Sequence, residues 1–197
     1  MSDNWVTKQT LIQRVQNPDD ATAWDDFVSY YQTFIAMVLN KSNIHINEKE
    51  DLVQDILVKV WKGLPNYEYR KEQAKFRTWL SILIRNTMLN YLDKLKRKNP
   101  GKVELNEQII LEVTESQIEK IIEEEWVSHL TQLAMKTVSE VFSGQAVEVF
   151  RMSLQGKGTK EISETLEITE ESVFVLRSRV KSRLKKEIKK LRDEIEF

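Results

Sequence analysis

Cysteine is absent from this 197-residue chain, and histidine occurs only twice, as His45 and His129. Without cysteine there can be no disulfide, no thiolate zinc site and no cysteine nucleophile. Histidine is the usual general base and nitrogen ligand, so its scarcity leaves little material for an active site. The sequence therefore favours a binding protein over an enzyme and predicts neither a metal site nor a cofactor.

Glycine and proline are also scarce, with five and three residues, too few for the many turns of an all-β protein. Charged residues make up 31% of the chain, and no apolar run approaches the ~20 residues that span a membrane. No apolar stretch follows a basic start, as it would in a signal peptide. We therefore expect an all-α, soluble protein of the cytoplasm.

Charges are sorted into blocks along the chain, although the net charge is only -1. Residues 70–102 contain ten Lys or Arg against two acids, and residues 172–192 contain nine against one. Between them, residues 103–126 contain eight acids and one lysine. Two basic blocks in a nearly neutral chain indicate a polyanion contacted at two places. Either block alone could also be a solvated helix face.

Apolar residues recur every three or four positions through four long segments, which predicts helices over 20–40, 48–64, 75–98 and 117–142. In the second of these, Trp61 is expected to point inward with the aliphatic residues. Asn99-Pro100-Gly101 ends the third segment. We expect two helical domains, residues 1–98 and 129–197, joined by an acidic linker over residues 99–128.

Two short helices are predicted near the carboxyl end, over 159–166 and 170–192, with a tight turn at Glu167-Ile168-Thr169. Ile168 is the expected apolar plug of this turn. Because the second helix is strongly basic, the pair follows the helix-turn-helix plan, in which the second helix enters a major groove. An ordinary helical hairpin with a basic rim is the alternative.

Residues 50–97 and 159–184 together resemble the extracytoplasmic-function sigma factors, the smallest sigma subunits of bacterial RNA polymerase. Region 2 of that family typically reads D-L-x-Q-E-x-F-x-x-x-W and, after a loop, F-x-x-W-L-x-x-I-A-R-N. The residues that match are Asp51, Leu52, Gln54, Asp55, Trp61, Phe76, Trp79, Leu80, Arg85 and Asn86. The E-I-x-E-x-L of region 4 is matched by Glu161, Ile162, Glu164 and Leu166.

The resemblance implies a promoter-specificity subunit that directs core polymerase to promoters and melts their −10 element. It implies as partners the polymerase core, through the clamp helices of its largest subunit and through its flap, and promoter DNA. Members of the family are often held by an anti-sigma factor, a partner class that no single residue here identifies. The implied core-binding residues are Asp51, Gln54, Asp55 and Lys62.

The resemblance also implies two DNA-binding sets. The −10 element would be bound by Tyr67, Tyr69, Arg70, Lys71, Lys75, Arg77, Asn86, Asn90, Lys94 and Arg97. Among these, Tyr67 and Tyr69 are the predicted stacking platforms for unpaired bases, whereas Phe76 and Trp79 fit the helical core. The −35 element would be bound by Lys160, Ser172, Phe174, Val175, Arg177, Ser178, Arg179, Lys181 and Ser182.

Phe174 and Val175 depart from the family, which commonly has polar residues at these positions. They can touch thymine methyl groups, face a protein, or be buried in the domain. Asn90 stands where the family usually has Asp, and Phe142-Ser143 replaces the usual L-P.

Two other functions are compatible with parts of the sequence. A helix-turn-helix regulator that binds DNA but no polymerase would leave the polar stripe over residues 50–62 unexplained. A metal enzyme could use Glu125 and His129, which are four residues apart, but no second such motif exists.

Overall fold

The computed structural model describes residues 8–17, 19–42, 44, 46–67, 76–98, 114–142 and 144–195. Over these residues the chain forms eight α-helices and no β-strand. The helices are α1 (Lys8–Val15), α2 (Ala21–Lys41), α3 (Ile46–Gly63), α4 (Phe76–Lys98), α5 (Glu115–Val141), α6 (Gln145–Leu154), α7 (Thr159–Leu166) and α8 (Glu170–Ile195). The predicted all-α class is confirmed. Within this described part, no helix is both long and apolar enough to cross a membrane.

The chain divides into two compact units. The first unit is built mainly from Met1–His129 and the second from Leu130–Asp193.

The start of α2 is held by a side-chain cap and an ion pair. Asp20 Oδ1 accepts a hydrogen bond from the backbone N–H of Ala23 at 2.9 Å, which satisfies a donor that the helix itself cannot. Arg14 Nε, at the end of α1, donates to Asp20 Oδ2 at 3.0 Å. The hydrogen bond from Arg14 holds the pKa of Asp20 below its usual value. Asp20 therefore caps α2 and links it to the last turn of α1.

The core of the first unit is aromatic where α2 meets α4. The Phe27 ring of α2 lies 4.5 Å from the Tyr31 ring and 5.8 Å, edge-on, from the Phe76 ring of α4. Ile56 and Val60 of α3 are also fully buried. Burial raises the pKa of Tyr31. Phe76 is core, as the helical spacing predicts.

Helix α5 begins within the segment that the sequence predicts to be a linker. Residues 115–128 are helical and belong to the first unit, whereas residues 99–113 lie outside the described residues. Ile118, Ile122 and Trp126 follow one another at intervals of four and are all buried, with the Trp126 ring 5.0 Å from the Phe34 ring. The apolar spacing predicts this helix from residue 117, whereas the linker assignment of residues 115–128 rests on the acids, which occupy the other faces of the helix.

The second unit has two apolar clusters. One joins Val138, Ala146, Phe150 and Val180, and the other joins Val149, Met152, Ile162 and Val173. Val173 and Val180 come from α8, so both clusters hold the same face of that helix. The opposite face of α8 is left for solvent or for a partner.

Candidate nucleic-acid interface

The outer face of α3 carries all four residues predicted to bind core polymerase. Asp51, Gln54, Asp55 and Lys62 are exposed. Asp55 Oδ2 accepts a hydrogen bond from Lys59 Nζ at 2.8 Å, and the same ammonium donates to Thr87 Oγ1 of α4 at 3.1 Å. The face is therefore polar, carries two carboxylates beside the ammonium groups of Lys59 and Lys62, and is tied to α4 through Lys59.

Two apolar side chains share this face, and for one of them the position predicted from the sequence pattern is wrong. Val58 is 48% exposed and Trp61 is 38% exposed. Trp61 was predicted to point inward, but it is only partly covered, with its ring 4.9 Å from the Trp24 ring of α2 and nearly perpendicular to it. Periodicity cannot separate a core position from a position at the edge of the core. The four polar residues and these two apolar ones are called the α3 face below.

Tyr67 does not present a stacking surface in this structure. Its side chain is buried, with its ring edge-on to Phe76 at 5.5 Å and tilted against Trp79 at 5.4 Å. Its backbone oxygen accepts a hydrogen bond from Gln16 Nε2 at 2.5 Å, and Gln16 also donates to Leu64 O at 3.1 Å. The predicted stacking role of Tyr67 stays a prediction, and it would require the ring to leave its place between Phe76 and Trp79.

The remaining loop candidates, Tyr69, Arg70, Lys71 and Lys75, lie outside the described residues. Their predicted roles stay predictions.

Arg77 is directed at α5. Its guanidinium forms an ion pair with Glu123, and its Cζ lies 5.5 Å from the centre of the Trp126 ring. The side chain is only 17% exposed. The predicted contact of Arg77 with DNA is not available in this arrangement, since the pocket between α4 and α5 already supplies both a carboxylate and an aromatic face.

Asn86, Asn90, Lys94 and Arg97 are exposed along α4, as predicted. They follow one another at intervals of four, four and three, so they lie on one side of the helix. Asparagine amides can bond base edges and the two cations can bond phosphates. The structure brings these four residues together, but it does not bring Arg77 with them.

The turn of the helix-turn-helix is built as the sequence predicts. Glu167 adopts the left-handed conformation with φ 54°, and Ile168 N donates to Ser163 O at 3.1 Å. Ile168 packs against the second apolar cluster, which confirms it as the plug. Thr169 Oγ1 accepts from Ser172 N at 3.1 Å and lies 3.0 Å from Ser172 Oγ. The Ser172 hydroxyl, a predicted DNA contact, is therefore engaged in the cap that starts α8.

Most of the predicted −35 residues are exposed. Those open to solvent are Lys160, Phe174, Val175, Ser178, Arg179, Lys181 and Ser182. Phe174 is 62% exposed and Val175 is 43% exposed, so neither belongs to the core. Arg177 is half-buried, with its Cζ 6.0 Å from the centre of the Phe174 ring. Of the three possibilities for Phe174 and Val175, burial in the domain is excluded.

A groove of about 420 Å³ runs beside Phe174 and Val175. Phe142, which follows α5, lines it together with Ser178, Arg179 and Ser182. Farther along, Arg183 and Lys186 reach the same groove, and Arg183 Nη2 is 2.6 Å from Glu187 Oε1. The groove is thus apolar at one end and basic at the other.

His129 lies in an aromatic surrounding that does not suit a metal. It is 2% exposed, with its ring 5.4 Å from Tyr30, 5.8 Å from Phe34 and 6.0 Å from Trp126. Among the residues that the structure describes, no group of three His, Asp or Glu could hold a metal ion.

Two parts of the chain match family models of known proteins. Residues 27–98 match the family model described as Sigma-70 region 2. Residues 140–189 match the model described as bacterial regulatory proteins, luxR family. The ECF RNA polymerase sigma-E factor of Haemophilus influenzae is 26% identical over 183 residues, which cover 89% of this chain and 90% of that protein. The chain belongs to the extracytoplasmic-function sigma factors.

This sigma factor is also similar to a solved structure of CnrH in complex with the cytosolic domain of CnrY. The likeness covers 90% of this chain and 94% of that one, with 14% identity and a TM-score of 0.37. The region 2 match contains the α3 face and the exposed side of α4. The second match contains α6, α7 and the part of α8 that bears Phe174 and Val175.

Proposed function

We propose that this sigma factor docks on core polymerase through the α3 face, opens the −10 element with α4 and the loop before it, and binds the −35 element with α8. We further propose that it works in the cytoplasm and has no catalysis of its own. One observation carries the proposal: a chain with a basic helix-turn-helix also exposes Val58 and Trp61 on the face of α3 that carries Asp51 and Asp55. A DNA-binding regulator without a polymerase partner gives no use to that face.

The α3 face has the make-up of a docking surface. Val58 and Trp61 are exposed apolar side chains, and Asp51 and Asp55 add negative charge to the same face of the helix. Protein interfaces commonly combine an apolar centre with a polar rim, and tryptophan is among the residues that contribute most to binding. The acids suit the basic clamp helices that the family resemblance implies as the partner.

The exposed side of α4 suits melted DNA. Asn86 and Asn90 can bond the edges of unpaired bases, and Lys94 and Arg97 can hold the backbone. Because Tyr67 is buried, Tyr69 is the better candidate for stacking on an unpaired base. Arg70, Lys71 and Lys75 would add positive charge around an unstacked base.

Reconstitution with core polymerase tests the proposal. We expect the chain to bind core in a pull-down and the resulting holoenzyme to start transcription at discrete sites on genomic fragments. DNA binding without core binding would support the helix-turn-helix regulator instead. Core binding without promoter-specific initiation would be consistent with docking through the α3 face but would contradict the DNA-binding roles proposed for α4 and α8.

A further inference from the structure

Helix α8 presents two chemically different halves on its outer face. Phe174 and Val175 stand in its first turns, directly after the cap formed by Thr169. Arg179, Arg183 and Lys186 follow on the same side and line the same groove. The first half is therefore apolar and the second half is cationic.

The apolar half is a patch and not a single stray side chain. Phe174 and Val175 are adjacent and exposed, and Phe142 lines the same groove. An exposed apolar patch with a polar rim marks a surface that a partner covers. Arg177 lies against the Phe174 ring, which places positive charge beside this patch as well.

The distribution of charge indicates which partner covers the patch. Glu170 and Glu171, both exposed, occupy the first turn of α8, so this tip of the helix repels phosphate groups. The cations stand one to three turns later, where they can hold a DNA backbone. In a helix-turn-helix the first residues of the second helix meet base edges in the major groove. An apolar side chain in that position can contact one base feature in particular, the C5 methyl group of thymine.

We propose that Phe174 and Val175 contact thymine methyl groups, and that this sigma factor therefore requires thymine at one or two adjacent positions of its upstream promoter element. The inference rests on the proposed function, because it assumes that α8 binds the −35 element. It adds the identity of the base and the chemical group that is recognised.

Deoxyuridine provides the test, because it differs from thymidine only in lacking the C5 methyl group. Promoters are first found by transcription of genomic fragments with the holoenzyme. Each thymine of the upstream element is then replaced in turn by deoxyuridine, and holoenzyme affinity is measured. We expect a loss of about fourfold per contacted methyl group, the effect of exposing one CH₂-sized group, at one or two adjacent positions. Phe174→Ala or Val175→Ala should abolish the sensitivity at its own position.

Controls separate base contact from other roles. Leu154→Ala on α6 removes an equally exposed apolar side chain, 70% exposed, and should leave the deoxyuridine effect unchanged. A promoter with 5-methylcytosine at a contacted position should bind more tightly than the same promoter with cytosine. Melting curves of the two variants should match the wild type, since neither residue is in the core.

Three results would overturn the inference. Unchanged affinity for every deoxyuridine promoter, with promoter-specific transcription intact, would refute the methyl contact and leave the proposed function standing. Intact promoter preference in Phe174→Ala, together with loss of a bound protein, would assign the patch to a protein partner. Absence of any promoter-specific transcription would remove both the proposed function and this inference.

Discussion

Arg85 Nη1 on α4 lies 2.5 Å from Glu119 Oε1 and 3.0 Å from Glu115 Oε1, both on α5. Together with the pair between Arg77 and Glu123, this relationship joins a basic helix to an acidic one within the first unit. Three glutamates of the acidic segment, Glu115, Glu119 and Glu123, therefore form ion pairs within the protein. They neutralise arginines that would otherwise add to the positive charge of α4.

The ion pair of Arg85 and Glu119 should contribute little to stability compared with the buried side chain of Trp126. Because Glu119 is 55% exposed, Glu119→Gln should lower the free energy of unfolding by less than about 1 kcal/mol, and 1 M salt should reduce that loss. Trp126→Ala should cost about 3–5 kcal/mol through lost core volume. Urea titrations measure both. Glu124→Gln, which removes a more distant pair with Lys120 at 3.9 Å, is the matched control. Equal losses for Glu119→Gln and Trp126→Ala would contradict this ranking.

Gly63 should resist replacement because of Trp79. A Cβ at this position would lie 2.7 Å from Trp79 Cζ2, closer than side chains normally approach. Gly63→Ala should therefore destabilise the first unit by about 1–2 kcal/mol, as overpacking does. The cost should shrink in a Trp79→Phe background, where the ring is smaller. If thermal unfolding shows the same cost in both backgrounds, the clash is not its cause.

Tyr67 should affect promoter complexes indirectly, by stabilising the fold of the first unit. Tyr67→Ala should lower the melting temperature and weaken closed and open promoter complexes together, because the ring packs between Phe76 and Trp79. Tyr67→Phe keeps that packing and should retain most of the stability. Permanganate footprinting follows opening, and gel shifts follow closed complexes. A stable Tyr67→Ala protein that loses only opening would show that Tyr67 leaves the core to meet DNA.

The α3 face should be needed for polymerase binding. Reversing charge with Asp51→Lys and Asp55→Lys should weaken binding to core by at least about tenfold while helical content, followed by circular dichroism, stays unchanged. Asp25→Lys, an exposed aspartate on α2, serves as the matched control. Unaltered affinity of the double variant would place the docking surface elsewhere.

Arg179 should contact a phosphate. Arg179→Ala should weaken binding across DNA sequences and reduce the slope of log K against log salt by about 1, since one fewer counterion is released. Lys136→Ala removes an exposed cation of the second unit that is not on α8 and should leave the slope unchanged. A sequence-selective loss with an unchanged slope would make Arg179 a base contact instead.

The sequence by itself determined the features that depend on neighbouring residues along the chain. The bounds of α3, α4 and α7, the turn at Glu167 and the two basic blocks follow from local periodicity, capping and charge. Such features are set within one or two helical turns, so they can be predicted without knowing what the helix packs against.

Only the tertiary structure decided which side chains of these helices are buried, exposed or ion-paired. It buried Tyr67, turned Arg77 toward Glu123, left Trp61 at the edge of the core and packed the start of α5 on the first unit. Each outcome depends on a side chain supplied from far along the chain. Periodicity shows that a residue lies on a given face of a helix, but burial and ion pairing depend on what covers that face.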